Sequence, residues 1–212
     1  MVFIHQGLLW KDLNPEYDVK LYTDLTCKEF LLTHLNDEYV QIFDFLEDGP
    51  IKADFWRLCV LYINGGIYVD ADIKPVLPIK AFLLSNIDLA ISNTYETVYT
   101  VNPNFIATSK ENPIIRACLD WYLAKYRDGE PYDYWNWSIV LAFTQTLHIV
   151  DYSKTFGIYD SYISNSDQHF QIQLFQQCKG EQGFVDDYVV FNNETIYYDR
   201  ADNYDHVAHN FR

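Results

Sequence analysis

One run of residues restricts this chain more than any other. It begins Asp48-Gly49-Pro50, continues through an apolar stretch from Ile51 to Ile63, and stops at Asn64-Gly65-Gly66. Ile67-Tyr68-Val69 follows and leads straight into Asp70-Ala71-Asp72. Asp48 offers a helix cap and Pro50 a first-turn residue. Apolar residues at 55, 58, 59 and 62 keep the spacing of one helical face, and Trp56, Val60 and Ile63 widen it. The pattern predicts a helix buried on more than one side. Glycine accepts the left-handed geometry of a helix end, so the helix stops there. Ile67–Val69, β-branched at both ends, predicts a buried strand. Two carboxylates therefore stand at the carboxyl end of a buried strand, where open α/β sheets hold their ligands.

The rest of the chain extends that pattern. Val2–His5 and Val19–Tyr22 predict two short strands, and Thr26–Leu32 and Gln41–Leu46 two helices. Asp88–Ser92 and Phe105–Thr108 predict further strands, and Asn112-Pro113 starts a helix to about Tyr126. Trp137–Leu147 predicts another helix, followed by a strand at His148–Val150. Val189–Phe191 and Thr195–Tyr198 flank Asn192-Asn193-Glu194 as a hairpin. Helices and strands alternate through the first 150 residues, which argues for one α/β domain with a mostly parallel or mixed sheet. The 212 residues suffice for a sizeable core.

Composition narrows the chemistry. Thirty Asp and Glu against fifteen Lys and Arg give a formal charge of -15, which excludes a generally basic nucleic-acid-binding surface. Eighteen tyrosines and five tryptophans imply either an aromatic core or a cleft lined with rings. Cys27, Cys59, Cys118 and Cys178 are too widely spaced for a short zinc motif, and Cys59 and Cys118 read as small buried hydrophobes. A reducing compartment fits best, with two disulfides among the four cysteines as the alternative. No signal-peptide pattern and no apolar run of the roughly 18 residues needed to span a membrane is present, so a soluble, cytoplasmic chain is expected.

The acidic pair carries the chemistry. Side chains one residue apart point differently, so one carboxylate would ligate a metal directly and the other act through water or a ligand hydroxyl. All-oxygen ligation suits Mg²⁺ or Mn²⁺, which keep water and take phosphate oxygens; the expected cargo is a diphosphate. A solvated surface turn is the plainer alternative. On the preceding helix, Asp54 and Arg57 lie three apart in an otherwise apolar setting. They either pair with each other or face a cleft, Asp54 accepting from sugar hydroxyls and Arg57 countering phosphate charge. His34 and His148 read as structural, His169 has no assigned place, and His206 and His209 lie near the end, where one could return to the metal.

Residues 52–73, KADFWRLCVLYINGGIYVDADI, resemble the signature of glycosyltransferases with a DXD sugar-binding region, the family of yeast-type initiating α-1,6-mannosyltransferases. The glucosylating domains of large clostridial toxins share the pattern. Phe3-Ile4-His5-Gln6 resembles the family's first strand with its I-H-Q ending. Asn14-Pro15-Glu16-Tyr17 and Leu21-Tyr22-Thr23-Asp24 resemble its second strand, and Asn104–Ala107 with Asn112-Pro113 the elements beyond the metal site. The chain is also similar to the amino-terminal domains of capsid-glycosylating proteins of large algal DNA viruses. The resemblance implies a GT-A fold, and one such domain over residues 1–212 is expected, as part of a longer polypeptide. It implies a retaining transferase that uses Mn²⁺ or Mg²⁺ and a nucleotide sugar, UDP-sugar first, with a glycan acceptor.

On the same resemblance, Asp72 ligates the metal and Asp70 contacts ribose or sugar and a metal-bound water. Asp54 and Arg57 bind donor sugar and diphosphate, and His5 and Gln6 belong to the donor site. Val207-Ala208-His209-Asn210-Phe211 is similar to the family's A-x-H-x-W, which makes His209 the third metal ligand. Two features depart from the family. Its T-G-P element, which shapes the acceptor side, is replaced near Trp135-Asn136-Trp137-Ser138, and its late Ser-Trp is missing. Two rivals remain in view. A haloacid-dehalogenase-type phosphohydrolase would need Thr or Val where Lys74 stands, and a non-catalytic sugar-binding module would bind without turnover.

Overall fold

A computed structural model describes residues 4–94, 101–149, 157–164, 166–180 and 187–199, with side chains from residue 9 onward. The helices are α1 (Ile4–Leu13), α2 (Asp24–His34), α3 (Asp37–Phe45), α4 (Gly49–Asn64), α5 (Pro113–Arg127) and α6 (Ile139–Thr146). The strands are β1 (Gly66–Val69), β2 (Lys74–Pro75), β3 (Leu89–Asn93), β4 (Val101–Thr108) and β5 (Leu147–Ile149). They continue with β6 (Gly157–Ile163), β7 (His169–Cys178), β8 (Asp187–Phe191) and β9 (Glu194–Asp199).

All these strands join one mixed sheet in the order β1-β4-β3-β7-β8-β9-β2, with β6 also on β7 and β5 on β6. Only β3 and β7 run parallel; the other described pairs are antiparallel. The two ends of that order, β1 and β2, are separated in sequence only by Asp70–Ile73. Such a link spans less than about 20 Å. The sheet must therefore curl until its edges nearly meet, and the acidic pair sits on the bridge between them.

Period-2 alternation sends side chains to both faces of the sheet. Leu89 and Ile91 of β3 and Ile106 of β4 join Leu58, Cys59 and Leu119 in a core beneath the helices. Ala90, Phe105 and Ala107 face the other way and pack with Trp10, Ile73, Phe82 and Tyr197. The mixed sheet flanked by helices agrees with the architecture expected from sequence. The antiparallel majority replaces a mostly parallel alternative.

Several elements follow their local signals. Asn112 caps α5 by accepting from the backbone N–H of Ile114 at 2.8 Å. The β8–β9 hairpin turns on Asn192 and Asn193, both at positive φ, a conformation asparagine tolerates. α4 forms as predicted, with Ile51, Phe55, Leu58 and Cys59 essentially inaccessible. Asp48 occupies its cap position without capping, because its carboxylate accepts from the Tyr132 hydroxyl at 2.6 Å instead.

Both amino-terminal strands are corrections. The expected strand at Val2–His5 gives way to helix from Ile4, and residues 1–3 lie outside the described residues. Ile4, Leu8, Leu9 and Leu13 keep helical rather than alternating spacing. Trp10 and Asn14 fasten the helix: the indole donates to the Ile73 carbonyl at 3.2 Å, and the Asn14 carbonyl oxygen accepts from the Ile79 N–H at 2.7 Å. Val19–Tyr22 lies in irregular chain that ends at Thr23, which caps α2. Its apolar residues pair with no described strand; Val19 and Leu21 are exposed.

Gly65 ends α4 at φ 63°, where a Cβ would lie 2.4 Å from the Lys110 backbone nitrogen. Gly66, at φ 98°, has open space around its missing side chain. Gly65→Ala is therefore expected to cost more than ~3 kcal/mol, combining steric clash with left-handed strain, and Gly66→Ala only the strain of about 1–2 kcal/mol. Urea denaturation of the two variants checks the difference.

Candidate active site

Asp70 continues the β1–β4 ladder, its N–H donating to the Asn104 carbonyl at 2.9 Å. Three residues later the Ile73 N–H returns to the Asp70 carbonyl at 3.2 Å. Asp70-Ala71-Asp72-Ile73 is thus a tight turn, held at one end by β4 and at the other by fully buried Ile73. The two carboxylates occupy its first and third positions.

The helix supplies the cation. Arg57 is only 3% exposed, and its Nη2 stands 3.1 Å from Asp54 and 3.3 Å from the Oδ1 of Asp70. Its Nη1 donates to the Pro103 carbonyl at 2.7 Å, and its guanidinium lies 4.4 Å from the centre of the Tyr68 ring. The Tyr68 hydroxyl donates to the same Asp70 oxygen at 2.8 Å. Burial pushes the Tyr68 hydroxyl well up from its ordinary pKa, with Arg57 opposing, so it remains a donor. Asp54 and Arg57 pair with each other and also line the cleft that contains Asp70 and Asp72.

Asp54 spans two elements. Its Oδ2 accepts the Ile139 N–H at 3.0 Å, one of the unpaired donors at the start of α6. Burial nevertheless dominates and raises its carboxyl to about 6, against the pull of Arg57 and of that N–H. Burial also raises Asp72, with the Asp70 charge adding to it. No described side chain hydrogen-bonds to Asp72, which leaves it the less committed carboxylate of the pair.

The sequence reading missed Asp199. It closes β9, only 9% exposed, and lines the same cleft as Asp54, Asp70 and Asp72. Its Oδ2 accepts from the side-chain amides of Asn104 at 2.7 Å, Gln177 at 3.2 Å and Asn102 at 3.3 Å. Burial raises its carboxyl to about 6; the Asn104 amide opposes this, while Asp72 and Asp70 add to it. A usable signal existed: Asp199 ends an apolar strand, as Asp70 does. Only the closed sheet brings the two ends together.

His5 and Gln6 fall on α1, so the strand end that motivated their donor role is absent. His209 and His206 lie outside the described residues. His148 and His169 make local contacts with Ser164 and Asp160, away from the cleft. Among the described residues no three carboxylate, histidine or cysteine groups converge as a ready-made metal cage. Asp70 and Asp72 do fit a hard cation of the kind that uses one or two carboxylates and completes its shell with water and phosphate.

Two clefts meet at Asp70. One, of about 370 Å³, is the polar cleft just described. The other, of about 650 Å³, runs along α4 and β1 between apolar and aromatic walls that include Tyr22, Trp56, Val60 and Ile67.

Comparison with known proteins agrees with this geometry. Residues 8–96 match the family described as glycosyltransferase sugar-binding region containing DXD motif. The matched segment takes in α4, β1 and the acidic turn, and begins after His5 and Gln6. An initiation-specific alpha-1,6-mannosyltransferase of Candida albicans is 27% identical over 116 residues, 53% of this chain and 28% of the relative. Inositol phosphoceramide mannosyltransferase 3 of Schizosaccharomyces pombe is 32% identical over 88 residues, 39% of this chain and 24% of the relative. The chain thus aligns with about a quarter of the length of these curated relatives. The solved structure of PaToxG glycosyltransferase overlaps 68% of this chain and 60% of its own, at 22% identity and a TM-score of 0.48.

The raised carboxyl of Asp199 has a consequence for stability. The folded protein holds its proton to about pH 6, whereas an unfolded carboxyl releases it near 3.8. Between those values the folded state binds more protons, so stability falls as pH rises through the window. Asp199→Asn removes this contribution, up to about 3 kcal/mol. In metal-free protein the variant is expected to lose less stability than wild type between pH 4 and 6. Urea midpoints measured across that range check it.

Proposed function

We propose that the chain is a metal-dependent glycosyltransferase of GT-A type, moving a sugar from a nucleoside-diphosphate donor to a glycan acceptor with retention. The observation that carries this reading is the acidic turn at the closure of the sheet, held by Arg57 and Tyr68, inside the segment that matches a DXD sugar-binding region. The mannosyltransferase relatives support a sugar-transfer role. UDP-sugar is the first donor to test, as the resemblance to DXD transferases implies. A glycoprotein glycan, such as a capsid glycan, is an acceptor class consistent with the same resemblance. Four free thiols, three of them buried, support a cytoplasmic site of action. No described helix is long and apolar enough to cross a membrane.

Asp72, the carboxylate with fewest commitments, would hold Mn²⁺ or Mg²⁺ directly, Asp70 would assist through its second oxygen or a water, and His209 would complete the set. When bound, the cation supplies electrostatic stabilisation to the departing diphosphate. Arg57 adds positive charge beside Asp70 but already serves two carboxylates, so its larger task is to keep Asp54 and Asp70 in place. Asp54 presents an acceptor for donor-sugar hydroxyls. His5 and Gln6, on a helix, are left out of the proposed donor set.

No described residue offers itself as a covalent nucleophile. The proposed route is front-face displacement. The acceptor oxygen bonds to the anomeric carbon as the carbon–phosphate oxygen bond breaks, and a departing phosphate oxygen takes the acceptor's proton. The sugar passes through an oxocarbenium-like state, and preorganised charge lowers that barrier.

Asp72→Ala is expected to abolish Mn²⁺-dependent binding of UDP, because it removes the direct ligand. Calorimetric titration of UDP with and without Mn²⁺ reads this, and unchanged binding in the variant would overturn the metal assignment. Sugar release or transfer from radiolabelled UDP-sugars then separates an enzyme from a binding module, which would bind without turnover.

A further inference from the structure

Trp135 and Trp137 stand two residues apart in the α5–α6 connection and meet opposite fates. Trp137 is fully buried, donating its indole N–H to the Pro131 carbonyl at 3.0 Å and receiving the Tyr122 hydroxyl on its own carbonyl at 2.8 Å. Trp135 is 73% exposed at the mouth of the polar cleft. A single exposed aromatic is ordinary on a protein surface. This one differs in where it stands and in how firmly its backbone is held.

The connection is pinned on both sides of Trp135. The Trp135 carbonyl accepts from the Ser138 hydroxyl at 3.0 Å, and the Asn136 N–H donates to the Asp133 carboxylate at 2.9 Å. The Trp137 N–H reaches back to the Asp133 carbonyl at 3.0 Å, and the Tyr132 hydroxyl ties the loop to Asp48. Tyr134 packs edge-on against the indole, 5.0 Å between ring centres, and lines the cleft beside it. No described protein group hydrogen-bonds the Trp135 indole N–H. A broad apolar ring is therefore held at the rim of a cleft whose wall includes Asp54, Asp70 and Asp72. That combination suits a ligand with an apolar face and a hydroxyl-bearing edge.

We infer that Trp135 is a stacking platform for a pyranose ring of the acceptor glycan, an inference that rests on the transferase reading above. A nucleobase also has a flat face, but the second cleft meeting at Asp70 is larger and walled by Tyr22, Trp56, Val60 and Ile67, which suits the donor's nucleoside. With the diphosphate at the acidic turn between the two, the polar cleft is left to sugars. Pyranose hydroxyls there reach the carboxylates while the carbon-bound hydrogens lie on the indole.

The test is saturation-transfer NMR on the full chain with α-1,6-mannobiose, maltose and lactose as separate probes, in UDP and Mn²⁺. At least one disaccharide is expected to bind with transfer concentrated on the protons of one ring face. Trp135→Ala should weaken that binding about tenfold, and Trp135→Phe should restore most of it, because a ring face and not the indole N–H supplies the stack. The exposed position predicts unchanged thermal midpoints for both variants. Failure of all three disaccharides to bind, or equal affinity in Trp135→Ala, overturns the inference. Calorimetric binding of UDP with Mn²⁺ to the same samples reads the transferase proposal separately: its loss with disaccharide binding intact counts against the donor assignment and leaves the platform standing.

Discussion

Four residues close this sheet. β1 and β2 stand at opposite ends of the strand order, yet only Asp70–Ile73 separate them in sequence. Nearly every feature of the site follows from that short connection. Ile73 is buried in the core on the sheet's second face, where its carbonyl takes the Trp10 indole N–H, so the turn cannot swing outward. Asp70 is tied to β4 through its own N–H. With both ends fixed, the two carboxylates have little freedom except in their side chains. Closing the sheet also brings the end of β9 up to the end of β1, and so puts Asp199 in the cleft.

The arrangement is electrostatically unbalanced within the cleft. Asp54, Asp70, Asp72, Asp187 and Asp199 line it, and Arg57 is the single basic residue among its described lining residues. Arg57 contacts two of these carboxylates directly. Side-chain amides of Asn102, Asn104 and Gln177 serve Asp199, offering hydrogen bonds but no charge. Burial therefore raises Asp54 and Asp199 to about 6 even though each has hydrogen-bond donors. A carboxylate kept partly desolvated and short of positive charge is a poor arrangement for stability alone. It becomes a sound one where a divalent cation and its waters enter the cleft.

The same sheet explains what the sequence could and could not disclose. The segment from Asp48 to Asp72 was legible because helix period, glycine stop, strand and acidic pair are all local. Asn112-Pro113 and the Asn192-Asn193 turn were legible for the same reason: a cap and a left-handed turn depend on neighbouring residues. The expected strand at Val2–His5 rests on a run of three apolar residues too short to show a period, and the helical spacing appears only when Leu8, Leu9 and Leu13 are taken with Ile4. What fixes Ile4–Leu13 as a helix is a pair of contacts to Ile73 and Ile79, more than sixty positions away. β6 and β7 went unrecognised as a pair because Gln171, Gln173, Gln176 and Gln177 interrupt the apolar run. Gln173 is fully buried, yet its side-chain amide donates to the Phe82 carbonyl at 2.7 Å and its oxygen accepts from the Leu84 N–H at 3.0 Å. Asp199 was hidden for the deepest reason: its role exists only once the two edges of the sheet have met.

A net charge of -15 opposes the approach of an anionic ligand at long range. Screening limits that opposition, since exposed charges fade over about 8 Å at physiological ionic strength. Surface carboxylates such as Asp18 and Asp120, each beside a basic partner, therefore add little at the acidic turn. The charges that matter are the few inside the cleft, where water and salt screen poorly. On the proposed transferase reading, their repulsion toward a diphosphate is relieved locally, by Arg57 and by the cation the carboxylates would hold. Acidity spread over the surface governs solubility; acidity gathered at the closure of the sheet governs what the cleft can bind.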